Sequence, residues 1–262
     1  MDRLKIGVQQ ASLRMPLREA LWTAARLGAQ GIAIDARHAL RPEELSQTGL
    51  RQLKKLLGDL NLRVCSVEFR TRRGYNVAEA LERRIEATKR AMRMAFQLGT
   101  PVVVNHVGAI PDEPTGPEWD LLIQSLTDLG RYGQHVGSQL AAETGTDDGT
   151  RLAALIGALP DGSLAAEFDP GALIVQGFDP RAALERLVAH VVQIRATDGV
   201  RGLGRSRGIE TPLGRGSADY VELIGMLEER EYRGYFTLAR ENASDPVSEI
   251  GNGVQYLRSL FM

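Results

Sequence analysis

A single cysteine, Cys65, among 262 residues excludes an intrachain disulfide and a thiolate metal cluster. It lies in the apolar run Val64-Cys65-Ser66-Val67, which reads as a buried structural thiol rather than a reactive one. No charge excess exists either: the formal net charge of -1 gives no reason to expect a nucleic acid or another polyanionic partner. No apolar stretch approaches the ~20 residues needed to span a bilayer, so no membrane partner is expected. The chain enters a strand-like segment within a few residues of Met1, which leaves no room for a signal peptide and points to the cytoplasm. Finally, Gln10-Ala11-Ser12-Leu13-Arg14-Met15-Pro16 follows the first strand-like run without one glycine. A doubly wound dinucleotide-binding sheet normally carries a glycine-rich turn there.

What is present is an ordinary globular composition, 43% apolar and 25% charged, with a regular rhythm. Short runs rich in Val, Ile, Leu or Ala, bounded by Gly, Pro, Asp or Asn, read as strands. They cover Lys5–Gln9, Gly31–Ala36, Arg63–Phe69, Pro101–His106, Gln139–Thr144, Leu164–Asp169, Val191–Ala196 and Tyr235–Ala239. Amphipathic helical patterns lie between them. The clearest, Val77–Leu98, repeats Leu81, Ile85, Thr88, Met92 and Phe96 on one face and stops at Gly99. Gly28 and Gly58 punctuate earlier helices in the same way. Trp22 and Trp119 fall in helical segments and read as packing residues. Eight strands alternating with helices predict one α/β domain over residues 1–262, a (β/α)8 TIM barrel.

Several stretches resemble the xylose isomerase-like barrels, a superfamily of sugar isomerases, epimerases, inosose dehydratases and endonuclease IV. Ala25-Arg26-Leu27-Gly28-Ala29-Gln30-Gly31 resembles the family's entry into strand two. Phe168-Asp169-Pro170-Gly171-Ala172-Leu173 resembles its "x-D-P-G-H-L" after strand six, and Arg195-Ala196-Thr197-Asp198-Gly199 its "H-x-x-D-G" after strand seven. Pro212-Leu213-Gly214-Arg215-Gly216 and Tyr232-Arg233-Gly234-Tyr235 match two further motifs, all in the family's order.

In family members that bind one metal, the resemblance implies ligands of Glu on strand five, Asp on strand six, His on strand seven and Glu on strand eight. Oxygen donors plus one imidazole suit Mn, Mg or Co. Glu143 and Asp169 match the first two positions. The other two fall on Arg195 and Ala239, and Ala172 replaces a further histidine. An arginine stays protonated and offers only donors, and alanine offers nothing, so the expected divalent metal lacks two of its four ligands. Glu241, two residues beyond Ala239, shares its strand parity and could restore one carboxylate. Endonuclease-like chemistry needs a histidine-rich zinc centre, which four histidines, with His38, His135 and His190 in loops or helices, do not supply.

Arg195 between Glu143 and Asp169 would neutralise the charge that a metal otherwise balances. It would do so either as a structural ion pair or as an electrophile facing a substrate carbonyl. Two-base epimerisation loses half its pair at Ala239. Enediol isomerisation of a sugar or sugar phosphate asks less, with Glu143 as base and Arg195 holding the oxyanion. A sugar- or acid-binding barrel without turnover is the alternative. His106, at the end of strand four, is a candidate catalytic group. Asp35 with Arg37, and Glu68 with Arg70, end strands two and three and could line the pocket, and Glu167 shares the inward parity of Asp169. The loop Asp198–Gly216 carries six glycines with Arg201, Arg205, Arg207 and Arg215, a composition that could cradle a phosphate or remain a solvated lid. A homodimer is possible for barrels of this kind, though no exposed apolar stripe in the sequence demands one.

Overall fold

The computed structural model describes residues 4–202 and 207–260. Eight parallel strands close into a barrel: β1 (Lys5–Gln9), β2 (Gly31–Asp35), β3 (Arg63–Glu68), β4 (Val102–Asn105), β5 (Gln139–Glu143), β6 (Ala165–Phe168), β7 (Val191–Ala196) and β10 (Tyr235–Leu238). The ends meet through β1, which pairs Val8 with Leu238 on one side and with Ile32 on the other. All eight anticipated strands are present, each within about a residue of its expected bounds. Between β7 and β10 the chain adds an antiparallel ribbon of β8 (Asp198–Val200) and β9 (Ile209–Thr211) that composition did not reveal. Three-residue strands carry too little periodicity to stand out. No helix among the described residues is long and apolar enough to cross a membrane.

Residue alternation divides the barrel wall. Ile6, Val8, Ile32, Ile34, Val103, Leu140, Phe168, Ile194 and Leu238 point outward and bury themselves under the helices, where the main core sits. Each fully buried aliphatic side chain of this kind contributes roughly 1.5–3 kcal/mol. The opposite parity points into the lumen. Small residues fill its lower end: a Cβ on Gly31 would stand 2.6 Å from the Tyr235 ring, so no larger residue fits. Cys65 is buried beside them and accepts or donates a contact with Thr237 Oγ1, and burial pushes its thiol up to about 12. Above this layer the lumen turns polar, and there the site begins.

The helices begin and end largely where local chemistry directs. The aspartates at 169, 179, 219 and 245 each accept a backbone N–H in the first turn of α6 (Pro170–Val175), α7 (Pro180–Leu187), α8 (Tyr220–Glu229) and α9 (Pro246–Ser259). Two boundaries differ from the sequence expectation. Helix α3 runs Leu81–Leu98, four residues shorter than its pattern, because Ala80 takes a left-handed φ of 52° and breaks the preceding turn. Helix α2 (Gln47–Asp59) runs through Gly58 and turns out at Asn61, which itself has φ 53°. Trp119 packs in α4 (Pro117–Val136) as expected, whereas Trp22 on α1 (Leu17–Arg26) is half exposed.

Candidate functional site

Inward parity at the C-terminal ends of β3, β5, β6 and β7 delivers Glu68, Glu143, Glu167, Gln193 and Arg195 to one level of the lumen. Asp169 follows directly on β6. The Arg195 guanidinium occupies their centre. Its Nη2 lies 3.1 Å from Glu68 and 3.7 Å from Glu143, and its Nε lies 3.1 Å from Glu167 and 3.8 Å from Asp169. Its side chain is 3% exposed. Four carboxylates converging on one buried cation is an arrangement that low dielectric makes strong and that desolvation makes costly to break.

Neutral side chains complete the shell. Gln9, at the end of β1, donates to both oxygens of Glu68 at 2.9 and 2.7 Å. Gln193 donates to Glu167 at 3.0 Å, and Thr197 Oγ1 donates to Asp169. Asp169 also accepts the Ala172 N–H at 2.8 Å, so one oxygen caps α6 while the other faces Arg195. A second guanidinium, Arg70, reaches across the mouth from the end of β3. Its Nε donates to Glu143 and its Nη1 lies 3.3 Å from Glu241.

The charges do not cancel. Glu68, Glu143, Glu167 and Asp169 face only Arg195 and Arg70 within the lumen. Burial raises the Glu167 carboxyl to about 7; Arg195 pulls against that shift, and Glu143, Glu68 and Asp169 add to it. Asp169 is raised too, by burial first, with Arg195 and Thr197 opposing. Burial works against the Arg195 charge, but the four carboxylates together outweigh it and hold the guanidinium well above its ordinary range. A carboxyl raised on folding stabilises the fold fully below its unfolded value of 4.5, and that contribution is lost as pH climbs through about 7. Wild-type stability is therefore expected to fall between pH 5 and 8 relative to Glu167→Gln, by roughly 3 kcal/mol, read by urea titration at each pH. Parallel curves for the two proteins would sink the assignment.

The remaining candidates occupy the rim. Glu241 does not turn inward beside Ala239: β10 ends at Leu238, strand parity lapses, and the carboxylate lies 64% exposed on Arg70. Asp35 is taken up by its own turn, accepting from the N–H groups of Arg37 and His38 and from His38 Nδ1. His106 and Glu143 border one narrow cleft. Arg207 is exposed and borders a cavity of about 430 Å³ whose floor is Asp169, Arg195 and Ala239. A second cavity of about 520 Å³ reaches Gln9, Glu68 and Arg70, and Glu241 borders both. Arg205 lies outside the described residues. Sequence reasoning passed over Gln9, Gln193 and Thr197, although Gln193 has the parity of Arg195. It placed Arg70 with Glu68 as a pair that could line the pocket, but not its reach across the mouth to Glu143.

The end of the glycine-rich segment after β7, whose composition could cradle a phosphate or remain a solvated lid, is occupied from within the chain. Asp198 is buried and accepts the N–H groups of Gly214, Gly216 and Ala218 at 3.0, 2.8 and 3.0 Å. The backbone cradle is filled by the chain's own carboxylate. Gly216 is required there, since a Cβ would stand 2.2 Å from Asp198 Oδ1. Far from a free solvated lid, residues 212–218 are anchored. Asp198→Ala is expected to cost about 3 kcal/mol, with four backbone bonds to the carboxylate lost, counting that from the Gly199 N–H at 2.8 Å, and water recovering part. It is also expected to make Arg215 a rapid trypsin site. Unchanged proteolysis would show that the anchor is dispensable.

A model of the family described as "Xylose isomerase-like TIM barrel" matches residues 22–260. The chain belongs to that family. Among solved structures, a xylose isomerase domain protein from Planctomyces limnophilus superposes with a TM-score of 0.85 at 22% identity, covering 98% of this chain and 97% of that one. A family protein from Mycobacterium smegmatis, in complex with magnesium, gives 0.80 at 17% identity over 98% and 96%. A sugar phosphate isomerase/epimerase from Parabacteroides distasonis gives 0.75 at 14% over 99% and 95%. Identities this low establish the shared fold and no more. Among curated proteins, none matches the chain.

The family's metal does not fit the residues present here. A guanidinium already stands within 3.8 Å of both Glu143 and Asp169, where a cation would have to sit. The third and fourth donors are an arginine and an alanine. No group of three or more His, Cys, Asp or Glu side chains among the described residues is arranged to hold a metal ion.

Proposed function

We propose that this barrel acts on a sugar or sugar phosphate as an isomerase/epimerase-like protein whose central cation is the Arg195 guanidinium rather than a metal. One observation carries the proposal: Arg195 is held by four carboxylates at 3.1–3.8 Å and forms the floor of a cavity left open by Ala239. A carbonyl oxygen entering beside Ala239 meets a preorganised positive charge that needs no rearrangement when the oxygen becomes an enediolate. Glu143 takes the proton from the neighbouring carbon and returns it to the next, on one face. Arg70, 42% exposed, supplies the guanidinium open to the mouth, and His106 borders Glu143 as a proton carrier.

A second reading, a sugar- or acid-binding barrel without turnover, draws support from the same contacts. Arg70 donates directly to Glu143, and Arg195 lies 3.7 Å away. A carboxylate held by two guanidiniums is not free to approach a substrate C–H unless Arg70 swings aside.

Solvent exchange separates the two. Sugars and sugar phosphates are incubated in D2O with EDTA, and deuterium at the carbon beside the carbonyl is read by NMR. Enediol chemistry predicts incorporation that survives EDTA and falls at least a hundredfold in Glu143→Gln. Binding without incorporation across the panel favours the second reading, and incorporation abolished by EDTA overturns the metal-free proposal.

A further inference from the structure

The mouth continues into a second, larger space. The cavity of about 520 Å³ over Gln9, Glu68 and Arg70 shares Arg37, Thr71 and Arg72 with a trench of about 950 Å³ between the β3–α3 connection and the outer side of α3. Six arginines border the trench (37, 72, 73, 83, 84 and 90) against three glutamates (79, 82 and 86). Most of the glutamate charge is already used. Arg73 pairs with Glu79, Glu86 lies 3.3 Å from Lys89, and Arg90 reaches out to Glu43. Arg37, Arg72, Arg83 and Arg84 have no carboxylate within 4 Å among the described residues. Within the trench only Glu82 is left to oppose them, while Asp35, Glu68 and Glu241 border the adjoining cavity that Arg37 and Arg72 share. In a chain of net charge -1 this is a concentrated positive wall.

Four further features make the wall a built one. Thr71 is pinned between its two arginine neighbours: its N–H and its hydroxyl both donate to buried Asn105 Oδ1 at 3.1 Å, so the backbone carrying Arg70 and Arg72 is fixed. Arg37 Nη1 donates to the Arg70 carbonyl at 2.5 Å, which sets Arg37 beside that backbone. Arg84 donates to the carbonyls of Glu79 and Val77, leaving its buried Nε unpartnered. The first turn of α3 opens on the same trench without a side-chain cap, adding its own partial positive charge.

We infer that the substrate carries an anionic group, a phosphate or a carboxylate, that lodges between Arg37 and Arg72 while its sugar carbons lie over the lumen. The inference rests on the sugar-substrate reading above and adds the substrate class. It also moves the anion from the loop after β7, where Asp198 fills the backbone cradle, to the opposite side of the mouth. Two guanidiniums offer paired donors to a doubly charged phosphate, geometry that an ammonium does not reproduce.

Binding is tested apart from turnover. Calorimetric titration with pyrophosphate is expected to show one site that weakens tenfold or more in Arg72→Ala and in Arg37→Ala/Arg72→Ala. Arg72 is exposed, so its single replacement leaves the fold intact even where the double variant is damaged. Glu143→Gln is expected to bind pyrophosphate like the wild type. Loss of binding in the arginine variants together with no deuterium exchange on any sugar keeps the anion site and sinks the isomerase reading. Exchange on neutral sugars as fast as on their phosphates, with pyrophosphate bound equally by wild type and Arg72→Ala, overturns the anion site and leaves the isomerase reading standing. Preference for single-stranded RNA over pyrophosphate by a hundredfold also overturns it, in favour of a polyanion-binding face.

Discussion

Replacing Arg195 by methionine is expected to cost 3–5 kcal/mol at neutral pH, and to lower the melting temperature by roughly 10 °C. Methionine fills much of the same volume, so the loss is one of charge rather than packing. It leaves Glu68, Glu143, Glu167 and Asp169 facing one another, with side-chain exposures of 7, 16, 1 and 13%. Arg70 reaches only Glu143 among them. Water cannot solvate the deeper pair, so the carboxylates relieve their repulsion by binding protons. The defect is therefore expected to be smaller at pH 5 than at pH 8, the sign that separates it from a packing defect. Against a typical domain stability of about 5–15 kcal/mol, the loss is a large fraction of the whole. Arg195→Lys keeps the charge but not the fork and is expected to fall between. A methionine variant within about 1 kcal/mol of wild type in denaturant titrations at both pH values would show that the cluster is not held by this cation.

Most of the barrel was legible because its signals are local. Strands such as Lys5–Gln9 and Val191–Ala196 are short apolar runs with clear stops, and the barrel needs no more than their order and number. The pairing of Arg195 with the matched acids was legible in outline, since inward parity places positions 143, 169 and 195 at one end of three neighbouring strands. What failed to show depends on distance across the mouth. Arg70 meets Glu143 two strands away, and Asp198 binds N–H groups 16–20 residues later. Neither partnership leaves a periodic trace. Glu241 was legible only in part: it borders the same cavity as Ala239, but parity holds only while a strand continues, and β10 stops at Leu238, so its carboxylate stays exposed at the rim. The basic trench was hidden because its arginines come from two separate segments, residue 37 and residues 72–90, that only the β2–β3 pairing and α3 bring together.

Restoring the two departures from the family's metal set is expected to convert the protein into a metal binder. Arg195→His removes the resident cation, and Ala239→Glu adds a carboxylate at the cavity that Asp169 and Arg195 already border. The double variant then holds Glu143, Asp169, His and Glu around an empty centre, with only Arg70 against five carboxylates. That charge is unfavourable in a buried site unless a divalent ion enters, so binding and folding become linked. At a hundredfold excess of Mn over its Kd, the double variant is expected to gain about 3 kcal/mol, while the wild type gains nothing measurable. Ala239→Glu alone is the discriminating control. Its new carboxylate meets the Arg195 guanidinium, which still fills the centre, so no metal binds. Calorimetry and thermal melts with and without Mn read all three proteins. Stoichiometric Mn binding by the wild type would mean that Arg195 yields its place to a metal. A folded double variant that ignores Mn would mean that the barrel has drifted beyond two side chains. Either result would force a different account of why four acids surround one arginine.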